Sequence, residues 1–393
     1  MLNFRRLAAF AAACLLSGAV SAQELITKKQ VFEMASYTTL SGKPLKAVKV
    51  GYETYGALSA ARDNAILVPH FFSGNSHAAG KYTAGDKAPG YWDAIIGPGK
   101  AIDTNKYFVI SVDSLVNLNT KDPNTVTTGP ATINPDTGKP YGMAFPIVTI
   151  GDFVQVQKAL IDSLGITRLR AVVGASMGAL QAQDWAARYP DMVERLVPVI
   201  GSGDGNPWLI AWLNVWAAPI LLDPAWKGGE YYGGPEPVEG LKHALKIVSL
   251  HANHWLWAEK TFGRAWAEEG KDPLASFANK YKIEQALEQG SAARAAVSDA
   301  NHFLYLVKAN QTFEPGGAKN LAEFAKKLKA KTLFIYSPAD QVFPQEWVKA
   351  TAEAVKAAGV STDTFEIGGN FGHLNGVLGM LPAADKLKAF IEN

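Results

Sequence analysis

The stretch that decides the fold is residues 169–188, which read LRAVVGASMGALQAQDWAAR. Residues 169–173 form a short apolar run rich in valine, which is typical of a buried β-strand. Residues 179–188 have the length and apolar spacing of an amphipathic helix. Between them lies the sequence Gly174-Ala175-Ser176-Met177-Gly178, so Ser176 is predicted to occupy a sharp turn from a strand to a helix.

The two glycines of this turn, Gly174 and Gly178, allow the backbone to approach closely where a Cβ atom would clash. A tight turn in this context exposes the serine Oγ above the sheet, which is the geometry of a nucleophile elbow. The five-residue pattern alone is a weak signal, because a glycine-rich turn with a capping serine has the same composition. The flanking strand and helix carry most of the evidence that Ser176 is a nucleophile.

A serine at its ordinary pKa is a poor nucleophile and needs a histidine base that is oriented by a carboxylate. Asp340 follows the strand-like run 332–336, and His373 follows the run 362–367. This gives the order Ser, Asp, His along the chain, which is the order found on the α/β-hydrolase fold. Because loops at the carboxyl ends of parallel strands meet above the sheet, we predict that Asp340 and His373 join Ser176.

Acyl transfer at Ser176 also needs backbone N–H donors for the negatively charged oxygen of the tetrahedral intermediate. One donor is expected from the residue after the nucleophile, Met177, and the other from a loop after an early strand. Residues 68–74 follow the strand-like run 65–68, and we choose Phe72 as the second donor. His70 and His77 are interpreted as residues that order this loop rather than as catalytic bases.

Outward from the elbow, short apolar runs alternate with helix-length amphipathic segments, which predicts an α/β protein with a mostly parallel central sheet. Residues 203–300 differ, because strand-like runs are absent there and seven of the ten tryptophans occur in this segment. We predict an α/β-hydrolase core formed by residues 23–202 and 301–393, with a helical cap at 203–300 inserted between its two parts.

Residues 1–22 have the pattern of a secretory signal peptide: a short cationic segment, an apolar run at 7–16 and small residues before Gln23. The apolar run is well short of the ~20 residues that span a bilayer, which disfavours a membrane anchor. We therefore expect a periplasmic or secreted protein without an integral membrane span.

Without residues 1–22 the chain has 36 basic and 36 acidic residues and no cysteine. A chain with no net charge and no basic cluster is a poor nucleic-acid binder. The lack of cysteine excludes disulfides, thiolate metal ligands and a cysteine nucleophile. His251 and His254 have a spacing that suits two metal ligands, but no third ligand accompanies them, so we predict neither a metal nor a cofactor.

The sequence resembles the homoserine O-acetyltransferase family of α/β-hydrolases over nearly its whole length beyond residue 22. The blocks that carry the resemblance are residues 51–56, 93–107, 134–152, 174–191, 223–229 and 299–301. The resemblance implies that Ser176 is the acyl-enzyme nucleophile, with Asp340 and His373 as its partners and Phe72 and Met177 as oxyanion donors. It also implies a helical cap that often forms a homodimer interface.

The chain departs from this family at the position of an arginine that grips the substrate carboxylate, where it has Ala217. Residues 215–222 hold no positive charge, and the family's acyl donors are cytosolic CoA thioesters, whereas this chain has a signal peptide pattern. We therefore predict an exported serine hydrolase that cleaves an ester. Two alternatives stay open, namely an O-acyltransferase and a non-catalytic binding protein on the same fold.

The predicted cap is rich in tryptophan, which favours a small apolar or aromatic acyl substrate bound between the cap and the sheet. Trp208, Trp212 and Trp216 are the candidate pocket residues. Their i, i+4 spacing is equally typical of a helix face packed into a core, so both interpretations stay open.

Overall fold

A computed structural model describes residues 25–393, and the predicted signal peptide lies outside these residues. Within them an eight-stranded sheet has the order β1-β2-β6-β3-β7-β8-β9-β10, and β4 pairs only with β5. The strands are β1 (Gln30–Thr38), β2 (Pro44–Tyr55), β3 (Ala65–Pro69), β4 (Ile96–Gly97), β5 (Ile102–Asp103), β6 (Phe108–Val112), β7 (Leu169–Ala175), β8 (Arg195–Val199), β9 (Lys331–Tyr336) and β10 (Thr362–Glu366).

The α-helices occur between and after these strands. They are α1 (Ile150–Ser163), α2 (Met177–Arg188), α3 (Pro207–Leu222), α4 (Val238–Ala252), α5 (Trp255–Phe262), α6 (Lys282–Ala295), α7 (Ala300–Gln311), α8 (Leu321–Lys327), α9 (Gln345–Ala357), α10 (Asn375–Leu378) and α11 (Ala384–Glu392).

The sheet is parallel from β6 to β10, and β2 runs antiparallel to both β1 and β6. Every residue of β3 and β8 is buried, as expected for central strands covered on both faces. Adjacent residues of β7 alternate between two hydrophobic cores: Val172 belongs to one core and Val173 to the other. The predicted α/β-hydrolase fold with a mostly parallel sheet is confirmed.

Between β8 and β9 the described chain has no strand of the main sheet. Helices α3, α4, α5 and α6 lie within residues 207–295, where α3 packs on α4 and α4 packs on α6. Helix α7 begins at the predicted end of the cap and contacts α3. The cap borders at residues 203 and 300 stay a prediction. These helices matter for function because they lie near the carboxyl ends of β7, β9 and β10, where the candidate site is found.

Candidate active site

Ser176 lies at the junction of β7 and α2 in an unusual backbone conformation, with φ at 57° and ψ at −121°. A Cβ atom on Gly174 would collide with the carbonyl oxygen of Gly178, and one on Gly178 would collide with the carbonyl oxygen of Pro69. Only glycine fits at these two positions, because the obstructing atoms belong to the backbone. The Ser176 N–H donates to Val199 of β8 at 2.9 Å, which fixes the turn against the sheet.

The structure brings the three predicted triad side chains together. His373 Nε2 lies 2.8 Å from Ser176 Oγ, and His373 Nδ1 lies 2.8 Å from Asp340 Oδ2. None of the three residues is more than 8% exposed. Because a carboxylate only accepts hydrogen bonds, Asp340 places the ring proton on Nδ1 and leaves Nε2 free to take the serine proton.

The backbone of the Asp340 loop orients its carboxylate. Asp340 Oδ1 accepts the N–H groups of Val342 and Phe343 at 2.8 and 2.9 Å, so both carboxylate oxygens have partners. This loop follows β9, and Asn375 connects it to the loop of His373, since its Nδ2 donates to Ser337 Oγ at 3.0 Å. Sequence reasoning did not identify Asn375, because nothing in its local pattern indicates this contact.

The two predicted oxyanion donors both have unused N–H groups. Among residues 25–393, neither the Met177 nor the Phe72 N–H donates a hydrogen bond to another residue. For Met177 the reason is its place at the start of α2, where the first N–H groups of a helix have no acceptor within the helix. The Phe72 side chain is buried, with its ring edge-on to Trp216 and Phe303 at centroid distances of 5.5 and 5.2 Å.

His70 fixes the loop that carries Phe72. Its Nε2 accepts the N–H of Ser114 at 3.0 Å, so the ring proton is on Nδ1, which donates to the carbonyl of Phe71 at 2.7 Å. Burial lowers the pKa of His70 to about 4, and the ring is therefore neutral at pH 7. Helix α2 holds the same loop, because Gln181 Nε2 donates to the carbonyl of His70 at 3.1 Å.

A cavity of about 110 Å³ adjoins Ser176 and lies between the core and the cap. The core lines it with Phe72, Ser176 and His373, and the cap contributes side chains from α3, α4 and α6. The Oγ and the base therefore face a space that a small ligand can enter. Its volume is well below the roughly 300–1,000 Å³ of sites for drug-sized ligands.

Of the three candidate pocket tryptophans, only Trp216 lines this cavity. Trp208 is 56% exposed and packs edge-on against Trp212, which in turn stacks on His251 at a centroid distance of 4.1 Å. Trp208 and Trp212 lie away from this cavity for a geometric reason, and Trp216 stays the pocket candidate. Each i, i+4 step exceeds a full helical turn by about 40°, so the side-chain direction drifts by about 80° between residues 208 and 216.

The cavity also has a charged side chain in its wall, because Arg294 of α6 lines it. Its Nη1 donates to Ser249 Oγ of α4 at 2.9 Å. The sequence around Arg294 contains one signal of an unpaired charge. The residues three and four positions away along the chain are Gly290, Ser291, Val297 and Ser298, and none of these is an acid that could pair with it.

The two cap histidines with metal-like spacing have separate roles. His251 Nε2 donates to the carbonyl of Gln341 at 3.1 Å, while His254 caps α5 by accepting the Leu256 N–H. In the described part of the chain, no group of three His, Cys, Asp or Glu side chains is arranged to hold a metal ion. No helix among residues 25–393 has both the length and the apolar character needed to cross a membrane.

Solved structures similar to this chain include an esterase and an acetyltransferase. The esterase, designated E22, superposes with a TM-score of 0.89 at 46% sequence identity, covering 93% of this chain and all of that one. A homoserine O-acetyltransferase from Bacillus anthracis also superposes with a TM-score of 0.89, at 37% identity over 94% of this chain and 98% of that one.

Curated relatives and a family comparison agree on the classification. Homoserine O-acetyltransferases from Carboxydothermus hydrogenoformans and Methanohalobium evestigatum are 37% and 40% identical to this chain. The matches cover 96% and 85% of this chain, and 97% and 66% of those two proteins. The family described as alpha/beta hydrolase fold matches residues 89–356. The chain therefore belongs to the homoserine O-acetyltransferase family of the α/β-hydrolase superfamily and is a serine-dependent enzyme of the α/β-hydrolase type.

Proposed function

We propose that the chain is an exported serine esterase that hydrolyses short esters through an acyl-enzyme on Ser176. The observation that carries the proposal is the continuous chain of hydrogen bonds from Asp340 through His373 to Ser176 Oγ. The unused N–H groups of Phe72 and Met177 support it, because a tetrahedral intermediate needs such donors. The small cavity favours a short acyl chain.

In the proposed reaction, His373 Nε2 takes the proton of Ser176 as Oγ attacks the ester carbonyl. The N–H groups of Phe72 and Met177 stabilise the oxyanion of the tetrahedral intermediate. His373 then gives its proton to the leaving alcohol, and the acyl-enzyme forms. Water attacks this ester with His373 again as the base, the acid leaves, and the proton returns to Ser176 Oγ.

Two observations favour hydrolysis over transfer to an acceptor alcohol. The similarity to esterase E22 is higher, at 46% identity, than the similarity to the acetyltransferases described above. At the position where the family has a carboxylate-binding arginine, this chain has Ala217, which is only 5% exposed and packs in the hydrophobic core. Without that arginine an acceptor alcohol is bound less tightly. Water, which is always at far higher concentration, then competes better for the acyl-enzyme.

Export is proposed from the pattern of residues 1–22 alone. N-terminal sequencing of the exported protein is expected to start at Gln23. The homodimer formed through the cap, which the family resemblance implies, stays a prediction.

The test of the esterase is hydrolysis of p-nitrophenyl acetate and butyrate by the wild-type chain and by Ser176→Ala. We expect Ser176→Ala to lower kcat by roughly 10³-fold or more, because the variant lacks the hydroxyl that the His373 base activates. Circular dichroism and thermal melting of both proteins control for the fold. A purified Ser176→Ala protein with the wild-type rate would remove the assignment.

The same assay separates the two alternatives. Added homoserine should leave the rate of acetate release unchanged, whereas conversion of the acyl group mainly to O-acetylhomoserine would support a transferase. A binding protein without catalysis would leave Ser176 unlabelled by a fluorophosphonate probe, while the proposed enzyme is expected to react with it at this residue.

A further inference from the structure

Arg294 is a cation in the catalytic cavity without a counter-ion. It lies near the carboxyl end of α6 and lines the same cavity as Ser176 and His373. Within residues 25–393 its one hydrogen bond goes to Ser249 Oγ, although a guanidinium offers several N–H donors in a fixed fork. Most of its donors are therefore free for a ligand.

No acid of the surrounding helices neutralises this charge. Helices α4 and α6 carry three acidic residues, and each has other partners: Glu239 pairs with Lys242, Glu284 accepts the N–H of Tyr281, and Glu288 pairs with Lys246 and Lys280. In the described chain no carboxylate oxygen lies within 4.0 Å of Arg294. A bound anion would offset the free energy that this uncompensated charge costs.

The surroundings of Arg294 strengthen the case for an anion. Arg294 is partly exposed, and partial burial lowers its pKa to about 10, so the side chain stays charged at pH 7. Trp216, Val248 and Ala252 form apolar parts of the cavity wall, and charge-assisted hydrogen bonds are strong where water is excluded.

Ser249 holds the guanidinium in position. Its hydroxyl donates to the carbonyl of Leu245 at 2.8 Å, so its oxygen is oriented to accept from Arg294. The Asn253 side chain lines the cavity beside them and anchors to the carbonyl of Ser249 at 2.8 Å. A guanidinium that is held at one nitrogen keeps the other donors of its planar fork available for a planar anion such as a carboxylate.

We propose that Arg294 binds a carboxylate of the substrate, so that the preferred ester of this enzyme carries a second, ionised acid group. The inference rests on the proposed esterase function. The subsite is on α6, whereas the family arginine described above would be on α3, where this chain has Ala217. The substrate class is therefore a short carboxylate-bearing ester rather than a purely apolar or aromatic one.

The test compares matched esters in which a methyl group is replaced by a carboxylate. One pair places the carboxylate on the acyl side: p-nitrophenyl butyrate and mono-p-nitrophenyl succinate. The other pair places it on the alcohol side: isopropyl acetate and O-acetyl-lactate. Hydrolysis of these two esters is measured by titration of the acid that is released. The readout is the ratio of kcat/KM for the charged ester to that for its neutral match.

We expect Arg294→Met to lower this ratio by on the order of 10- to 100-fold in one of the two pairs, which identifies the half of the substrate that carries the carboxylate. The control is Arg264→Met, which removes an exposed cap arginine outside the cavity and should leave both ratios unchanged. Ratios that stay the same in Arg294→Met for both pairs overturn the proposal and leave Arg294 as a helix-packing residue.

A binding measurement keeps the subsite testable apart from turnover. Calorimetry of the wild-type chain is expected to show tighter binding of succinate than of succinamide, and equal binding would contradict the subsite even if Arg294→Met does not fold. Failure of the esterase proposal can be distinguished from failure of the subsite. A wild-type chain that hydrolyses none of the four esters contradicts the esterase function, while the comparison of succinate with succinamide still tests Arg294.

Discussion

Among single residues outside the triad, His70 has the most direct control over the proposed oxyanion donors. It donates to the carbonyl of Phe71, and that carbonyl belongs to the same peptide group as the Phe72 N–H. Because a peptide group is planar, fixing its oxygen also fixes the direction of its N–H. His70 is thus a positioning residue that acts through the Phe72 backbone.

Replacement of His70 by Gln is expected to lower kcat by roughly 10- to 100-fold with little change in KM, since the donor matters most in the transition state. The measurement is steady-state kinetics with p-nitrophenyl butyrate, with thermal melting in parallel. A variant that melts at lower temperature but keeps the wild-type kcat would show that His70 is only structural.

The residues of the triad could be predicted from the sequence because each follows a recognisable strand. Ser176, Asp340 and His373 occur in a fixed order, and the sheet brings their loops together. Arg294 and Asn375 could not be found in this way, because each reaches the site through the packing of segments that are distant along the chain. Their roles depend on tertiary contacts, and the local sequence shows only that Arg294 has no acid three or four residues away.

At the scale of elements, the junction of β3, β7 and α2 depends on glycine. A methyl group at Gly178 would collide with the carbonyl oxygen of Pro69 at the end of β3. Helix α2 would have to move away from the strand, and it would carry Ser176 with it.

We therefore expect Gly178→Ala to lower kcat/KM by on the order of 100-fold or more, since a displacement of about 1 Å has effects of this size. Gly290→Ala is the matched control, because a Cβ on this α6 glycine meets nothing within 4 Å. That control should melt at the wild-type temperature or above it, as glycine disfavours helices. Equal activity of the two variants would contradict this account of the elbow.

One strand of the sheet could not be predicted from the sequence. Strand β1 is at the sheet edge, and only one of its nine residues, Tyr37, is buried. An edge strand with two accessible faces lacks the apolar run that marks β3 or β7. In α3 the sequence shows the tryptophan repeat. It does not show that only Trp216 faces the cavity, because the position of the cavity is known only from the structure.

At the scale of the whole molecule, buried neutral histidines make stability depend on pH. Burial lowers the pKa of His70 and His251 from 6.5 to about 4, and it also lowers the pKa of His302. Between pH 6.5 and 4 the unfolded chain therefore binds more protons at these sites than the folded chain does. Their contribution to stability is fully present above pH 6.5 and is lost as the pH falls towards 4.

We expect His70 and His251 each to lower the free energy of unfolding by about 1 kcal/mol per pH unit between pH 6 and 5. Burial raises the pKa of Asp113 and Asp204, which offsets part of the loss. Urea unfolding at pH 7.5, 6 and 5 measures the slope, and His251→Gln should have a smaller slope than the wild-type chain. Identical slopes in the two proteins would contradict the assignment.

The cavity beside Ser176 has one wall from the sheet loops and another from the helices α3, α4 and α6. Reactivity and selectivity are therefore encoded in separate stretches of the gene. We expect mutations on the inner faces of these helices to change which substrates react while the triad stays in place. Directed evolution of this scaffold can accordingly be confined to a few codons of the insertion, while the rest of the chain is left unchanged.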